Sequence, residues 1–126
     1  MARLLLCDDD PMYSLALSAL LGDWGHSVKT TETAQEALDH LASHAVDLAI
    51  LDVVMPGGGG VSLLHQIKDL YPNLPTIVCT GRDFLFETPL MEIGMEKADE
   101  KIKKTIDPAD LLAVINRLLK QAKKVG

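Results

Sequence analysis

Five short strand-like runs, separated by stretches of helical periodicity, constrain this chain more than any other feature. They fall at residues 3–7, 26–30, 47–51, 75–79 and 101–104. The first is a short apolar run of the kind that suits a strand covered on both faces. Strands that alternate with helices imply an α/β domain with a parallel sheet and helices on each side. The 126 residues suffice for one such domain. Aromatic residues make up only 4% of the chain against 48% hydrophobic, so the core must be built from Leu, Ile, Val and Ala.

The intervening stretches carry helix signals. Asp10 and Pro11 supply an N-cap and a first-turn proline. Met12, Leu15, Ala16, Ala19 and Leu20 follow at helical spacing, and Gly22 and Gly25 end the helix. Thr33 and Glu36 form a capping box, with Ala37, Leu38 and Leu41 as the apolar face. Gly57–Gly60 predict a loop, and residues 61–71 a helix with Leu63, Leu64, Ile67 and Leu70 apolar. Residues 84–94 read as a helix despite Pro89. Asp107 and Pro108 open a last helix carrying Leu111, Leu112, Ile115, Leu118 and Leu119.

In open sheets of this kind, right-handed crossovers bring the C-terminal strand ends to one edge, where ligands bind. The residues delivered there are unusual. The first strand ends on Asp8 and Asp9, the third on Asp52, the fourth on Thr80 and the fifth on Lys104. Carboxylates crowded together are costly unless a cation intervenes, and oxygen ligands with retained waters suit Mg²⁺. A hydroxyl and an ammonium facing that ion are what a phosphoryl group requires. One carboxylate can then act as nucleophile and form an aspartyl phosphate. Asp10 is assigned to the helix cap rather than to metal.

With these residues in order, the chain resembles the receiver domains of bacterial two-component response regulators. The resemblance rests on LLLCDDDP at the start, DLAILDVVMPGGGG in the middle, TIVCTG, and KKTIDPADLL near the end. It covers essentially the whole chain, so residues 1–126 are expected to form a single receiver domain without an output domain. It implies a flavodoxin-like (βα)5 fold, doubly wound, with five parallel strands in the order 2-1-3-4-5. It further implies Asp52 as the phosphoacceptor. Asp9 would ligate Mg²⁺ directly, Asp8 directly or through water, and the Val54 backbone carbonyl as well. Thr80 would be the switch hydroxyl, and Lys104 would pair with the phosphate. The implied partner is a sensor histidine kinase or a phosphotransfer protein that donates from a phosphohistidine. Downstream stands an effector or a covalently linked output domain, and a second copy of the chain is a further candidate.

Four departures from the family pattern bear on these expectations. Thr105 stands where the family usually has a proline after the lysine, in a cis peptide, so either the loop turns trans or the strain is kept. That leaves Lys103 as the runner-up to Lys104. Lys101 occupies the place of an aromatic that follows the threonine, and lysine would snorkel to solvent instead. The Thr80–Lys104 spacing is about two residues longer than usual for the family. Four glycines stand beside Asp52 where fewer are common, raising the entropy cost of ordering that loop.

Other classes fit less well. A pseudo-receiver that signals without phosphate is the alternative, motivated by the altered fifth-strand region. A phosphohydrolase would need a hydroxylated or branched residue where Pro11 and Met12 stand, and a flavin module would not place acids in its phosphate loop. Net charge of −6 argues against nucleic acid as partner. That charge is uneven: residues 1–96 carry 4 basic and 14 acidic side chains, residues 97–126 carry 8 and 4. Cys7 and Cys79 read as buried reduced thiols, and His40 and His44 as solvated. With no signal peptide and no membrane span, a soluble cytoplasmic protein is expected.

Overall fold

A computed structural model describes residues 2–53, 59–80 and 96–125, the side chains of Thr80 and of residues 123–125 excepted. Five strands form one sheet: β1 (Arg3–Cys7), β2 (Ser27–Thr31), β3 (Leu48–Asp52), β4 (Thr76–Thr80) and β5 (Glu100–Lys103). Among the described residues four helices pack on it: α1 (Pro11–Asp23), α2 (Ala34–Ser43), α3 (Gly59–Leu70) and α4 (Pro108–Val125). Every pairing is parallel and the strand order is β2-β1-β3-β4-β5. The expected fold and order are therefore found. The helix expected at residues 84–94 lies outside the described residues, as does Val54.

Side-chain alternation along the central strands divides the core in two. Leu4, Leu6, Leu48, Ile50, Ile77 and Cys79 point to one face, where Leu17 and Leu21 of α1 and Leu111, Ile115 and Leu118 of α4 cover them. Leu5, Cys7, Ala49, Leu51 and Val78 point to the other, against Ala37 and Leu41 of α2 and Leu63, Leu64 and Ile67 of α3. A strand with apolar residues on both sides must be covered twice, which explains the near-continuous apolar runs. Neither cysteine forms a disulfide, and both are buried, as expected.

The caps form as the sequence predicts, with one variation. The Asp10 carboxylate accepts from the Met12 and Tyr13 amides at 3.1 and 3.2 Å. Thr33 caps α2 through the Glu36 amide at 3.2 Å, while the Glu36 carboxylate reaches back to the Glu32 amide rather than to the cap residue. Asp107 accepts from the Ala109 amide at 2.9 Å and so caps α4.

Helix α1 corrects the expected apolar face. Met12 and Leu15 are 74% and 68% exposed, and the buried set is Ser14, Leu17 and Leu21. Apolar residues surround this helix on all sides, so spacing alone does not fix its phase. Ser14 is tolerated inside because its hydroxyl reaches the Asp8 carbonyl at 3.5 Å. Leu70 likewise lies exposed at the end of α3. Helix α1 runs through Gly22, and the turn is made at Gly25, whose φ of 90° favours glycine. Helix α3 begins at Gly59, so two of the four glycines expected in the loop are helical.

Candidate phosphoacceptor and metal site

The acids converge because β1 and β3 are hydrogen-bonded neighbours that end at the same edge. Asp8 follows β1 directly, and its amide donates to the Thr31 carbonyl at 3.0 Å, which extends the β1–β2 ladder by one residue. Asp52 is the last residue of β3 and lies opposite Cys79 of β4. Asp8 is fully buried and Asp52 is 4% exposed. Carboxylate oxygens of Asp8, Asp9 and Asp52 all lie within 4.8 Å of one another.

The three consecutive aspartates have separate roles. Asp10 caps α1. Asp8 is fixed by one oxygen, Oδ1, which accepts from the Asp10 amide at 2.9 Å. Its other oxygen, Oδ2, is buried and faces Lys104 Nζ at 2.7 Å, as an ion pair without the alignment of a hydrogen bond. Asp9, half-buried, completes the cluster towards solvent.

Lys104 sits one residue past β5, in the turn at residues 104–105. Its Nζ is also 3.5 Å from Asp52 Oδ2, and its side chain is 18% exposed. Lys103, the runner-up, is exposed. The Lys104–Thr105 peptide is trans, so the loop delivers the lysine without the family's cis bond. Burial disfavours the ammonium, but the Asp8 contact and the Asp52 charge outweigh it and hold its pKa above the ordinary 10.5. Lys101, in the aromatic's place, is exposed. Thr80 ends β4 at the same edge, opposite Lys103 in the β4–β5 register; its side chain lies outside the description.

Two features of the site carry weaker sequence signals. Gly60 packs against the backbone after Asp52: a Cβ there would lie 2.5 Å from the Asp52 carbonyl oxygen and 2.6 Å from Val53 Cα. Close approach, not loop flexibility alone, therefore requires one of the four glycines. Tyr13 of α1 places its ring under the lysine, with Nζ 4.5 Å from the ring centroid. Burial, reinforced by neighbouring negative groups, pushes the Tyr13 phenol up. Burial and the charges of Asp52 and Asp8 push the Cys79 thiol up to about 12, which leaves it unreactive at neutral pH.

The residues fit a hard divalent ion. Three carboxylates face one ammonium, a buried oxygen lacks an aligned donor, and all donors are oxygen. Mg²⁺ binds such oxygens at about 2.0–2.1 Å and keeps several waters. Asp8, Asp9 and Asp52 could hold it. His40 and His44 instead stack on each other, ring centroids 4.4 Å apart, and no third ligand joins them among the described residues. A cavity of 1130 Å³ opens at the opposite end of the sheet, between Arg3, Asp47, Tyr71 and Lys120, and contains none of the acidic cluster. No helix among the described residues is long and apolar enough to cross a membrane.

Comparison with known proteins agrees with this geometry. Residues 4–116 match the family model of the response regulator receiver domain. The response regulator MprA of Mycolicibacterium vanbaalenii is 33% identical over 120 residues, covering 94% of this chain and 51% of that protein. The DNA-binding transcriptional regulator NtrC of Azospirillum brasilense is 33% identical over 118 residues, 94% of this chain and 24% of that protein. The chain thus spans about half or less of these curated relatives. A CheY-like receiver domain from Methanospirillum hungatei superposes with a TM-score of 0.91 at 28% identity, covering 100% of this chain and 99% of its own. TrrA of Thermotoga maritima, solved with Mg²⁺ and BeF, superposes with a TM-score of 0.84 at 29% identity over 94% of this chain and 99% of its own. Fold, strand order and family match coincide over nearly the whole length: this chain belongs to the response regulator receiver domains of two-component signalling.

Proposed function

We propose that this receiver domain accepts a phosphoryl group on Asp52 from a phosphohistidine, in a Mg²⁺-dependent transfer that switches its protein contacts. The observation that carries the reading is the convergence of Asp8, Asp9 and Asp52 on one edge with Lys104 Nζ among them. Like charges so close are destabilising unless they serve a cation, and the lysine supplies only one. Asp8 and Asp9, with Asp52 and the Val54 carbonyl, would hold Mg²⁺, which supplies charge neutralisation for the phosphoryl oxygens.

In the transfer, an Asp52 carboxylate oxygen forms the new O–P bond as the P–N bond of the donor breaks. The imidazole nitrogen keeps that electron pair and takes up a proton. Lys104 would exchange its Asp8 contact for a phosphoryl oxygen, and the Thr80 hydroxyl would donate to another. The donor would be a sensor histidine kinase or phosphotransfer protein. The output would be an attached domain, as the greater length of the relatives suggests, or a separate effector, with a second copy of the chain another candidate. The complete charge cluster weighs against a pseudo-receiver that works without phosphate.

Intact-mass measurement after incubation with acetyl phosphate and Mg²⁺ tests the proposal. One phosphoryl adduct is expected, absent from Asp52→Asn and absent with chelator. No adduct on the native chain, or an undiminished adduct on Asp52→Asn, would overturn it.

A further inference from the structure

Lys104 stands in a turn beyond the end of β5, on a flexible four-carbon stem, yet its ammonium must stay between two buried carboxylates. The strand ladder does not fix it, and the next residue, Thr105, is exposed. The ring of Tyr13 lies beneath the ammonium, 4.5 Å from Nζ to centroid. A cation over an aromatic face is attracted by the ring's quadrupole, more strongly when partly dehydrated.

Tyr13 is itself fixed from three directions. Its amide donates to the Asp10 carboxylate at 3.2 Å, within the cap that follows the acidic pair. Its ring packs on the core layer that contains Cys79 and Ile102. Its phenol meets the Cys79 thiol, and Cys79 is the β4 residue opposite Asp52. One side chain therefore ties the start of α1 and the strand beside Asp52 to the lysine.

Resting on the phosphoacceptor reading, we propose that Tyr13 is a positioning residue for phosphoryl transfer: its ring holds the Lys104 ammonium at the acidic cluster. The ring shields the ammonium from water on one side without supplying a competing charge. Lys104 can then pass from Asp8 to an incoming phosphoryl oxygen over a short path. The aromatic face, not the hydroxyl, is the working part, so Tyr13→Phe must preserve the effect.

The test compares the native chain with Tyr13→Phe, Tyr13→Leu and Tyr13→Met. Two readouts are taken: the rate of adduct formation with acetyl phosphate at fixed Mg²⁺, and the NMR shift of the Lys104 ε-methylene protons, assigned by their loss in Lys104→Arg. In the native chain and Tyr13→Phe, the ring current moves these protons upfield and the rates agree within about 2-fold. In Tyr13→Leu and Tyr13→Met the upfield shift is lost and the rate falls by about 2- to 30-fold. Tyr13→Met keeps a long apolar side chain, so it reports even if Tyr13→Leu does not fold. Native rates in both non-aromatic variants would overturn the proposal, as would a Tyr13→Phe as slow as they are. A native chain that takes no phosphate would instead overturn the phosphoacceptor reading, while the NMR shift still tests whether the ring holds the lysine.

Discussion

Replacing Lys104 by Met removes the cation that faces two buried carboxylates, and the size of the loss follows from the geometry. At the 2.7 and 3.5 Å separations from Asp8 and Asp52, the gross attraction at an effective dielectric of 20 is about 6 and 5 kcal/mol. Dehydration of the ammonium cancels much of this, and breaking a buried pair typically costs ~3–5 kcal/mol. The lysine is 18% exposed and the acids can rehydrate, so a loss of about 2–4 kcal/mol is expected. For a chain of this size that lowers the melting temperature by roughly 10 °C. Thermal unfolding by circular dichroism at pH 7, without metal, measures it, and Mg²⁺ should restore part of the loss. The pH dependence has a fixed sign. The folded-state pKa of Lys104 lies above the ordinary 10.5. Its stabilisation is therefore fully present below 10.5 and is lost as pH rises through the folded value. The gap between native and Lys104→Met should stay constant from neutral to mildly alkaline pH and close beyond 10.5. An unchanged melting temperature at pH 7 would refute this view of the cluster.

Asp52→Asn should raise the melting temperature of the metal-free chain: it removes two repulsions of about 3 kcal/mol each at the 4.8 Å limit against one attraction of about 5. The increment given by Mg²⁺ should shrink in the same variant, as differential scanning fluorimetry would show. Gly60→Ala forces a methyl to 2.5 Å from the Asp52 carbonyl and should cost about 1–3 kcal/mol in chemical denaturation, with loss of phosphate acceptance as Asp52 is displaced. Asp10→Ala removes two cap hydrogen bonds and should cost about 0.5–2 kcal/mol, leaving Mg²⁺ affinity largely unchanged.

Most of the sheet was legible because buried parallel strands leave apolar runs such as those ending at Cys7 and Leu51, and because Asp10, Thr33 and Asp107 mark helix starts with groups that bond the first-turn amides. The acidic cluster was legible for an electrostatic reason, since adjacent acids at a strand end need an explanation. The face of α1 was not, because apolar residues on every side leave no single stripe, and burial of Ser14 depends on a carbonyl it meets only after folding. Gly60 was hidden among four glycines: which of them touches the Asp52 backbone is decided in three dimensions. Tyr13 gave no sign of its place, since a lone aromatic in a helix says nothing of a lysine 91 positions later. Thr105 raised doubt over the placement of Lys104; the loop is trans, and the contacts of its ammonium with Asp8 and Asp52 appear only in three dimensions.

Diffraction from crystals grown with Mn²⁺, read at the manganese absorption edge, puts the convergence of the acids to the most direct test. One anomalous peak is expected, ligated by carboxylate oxygens of Asp8, Asp9 and Asp52 and absent from crystals of Asp8→Asn. A peak elsewhere, or an empty cluster at saturating metal, would contradict the account.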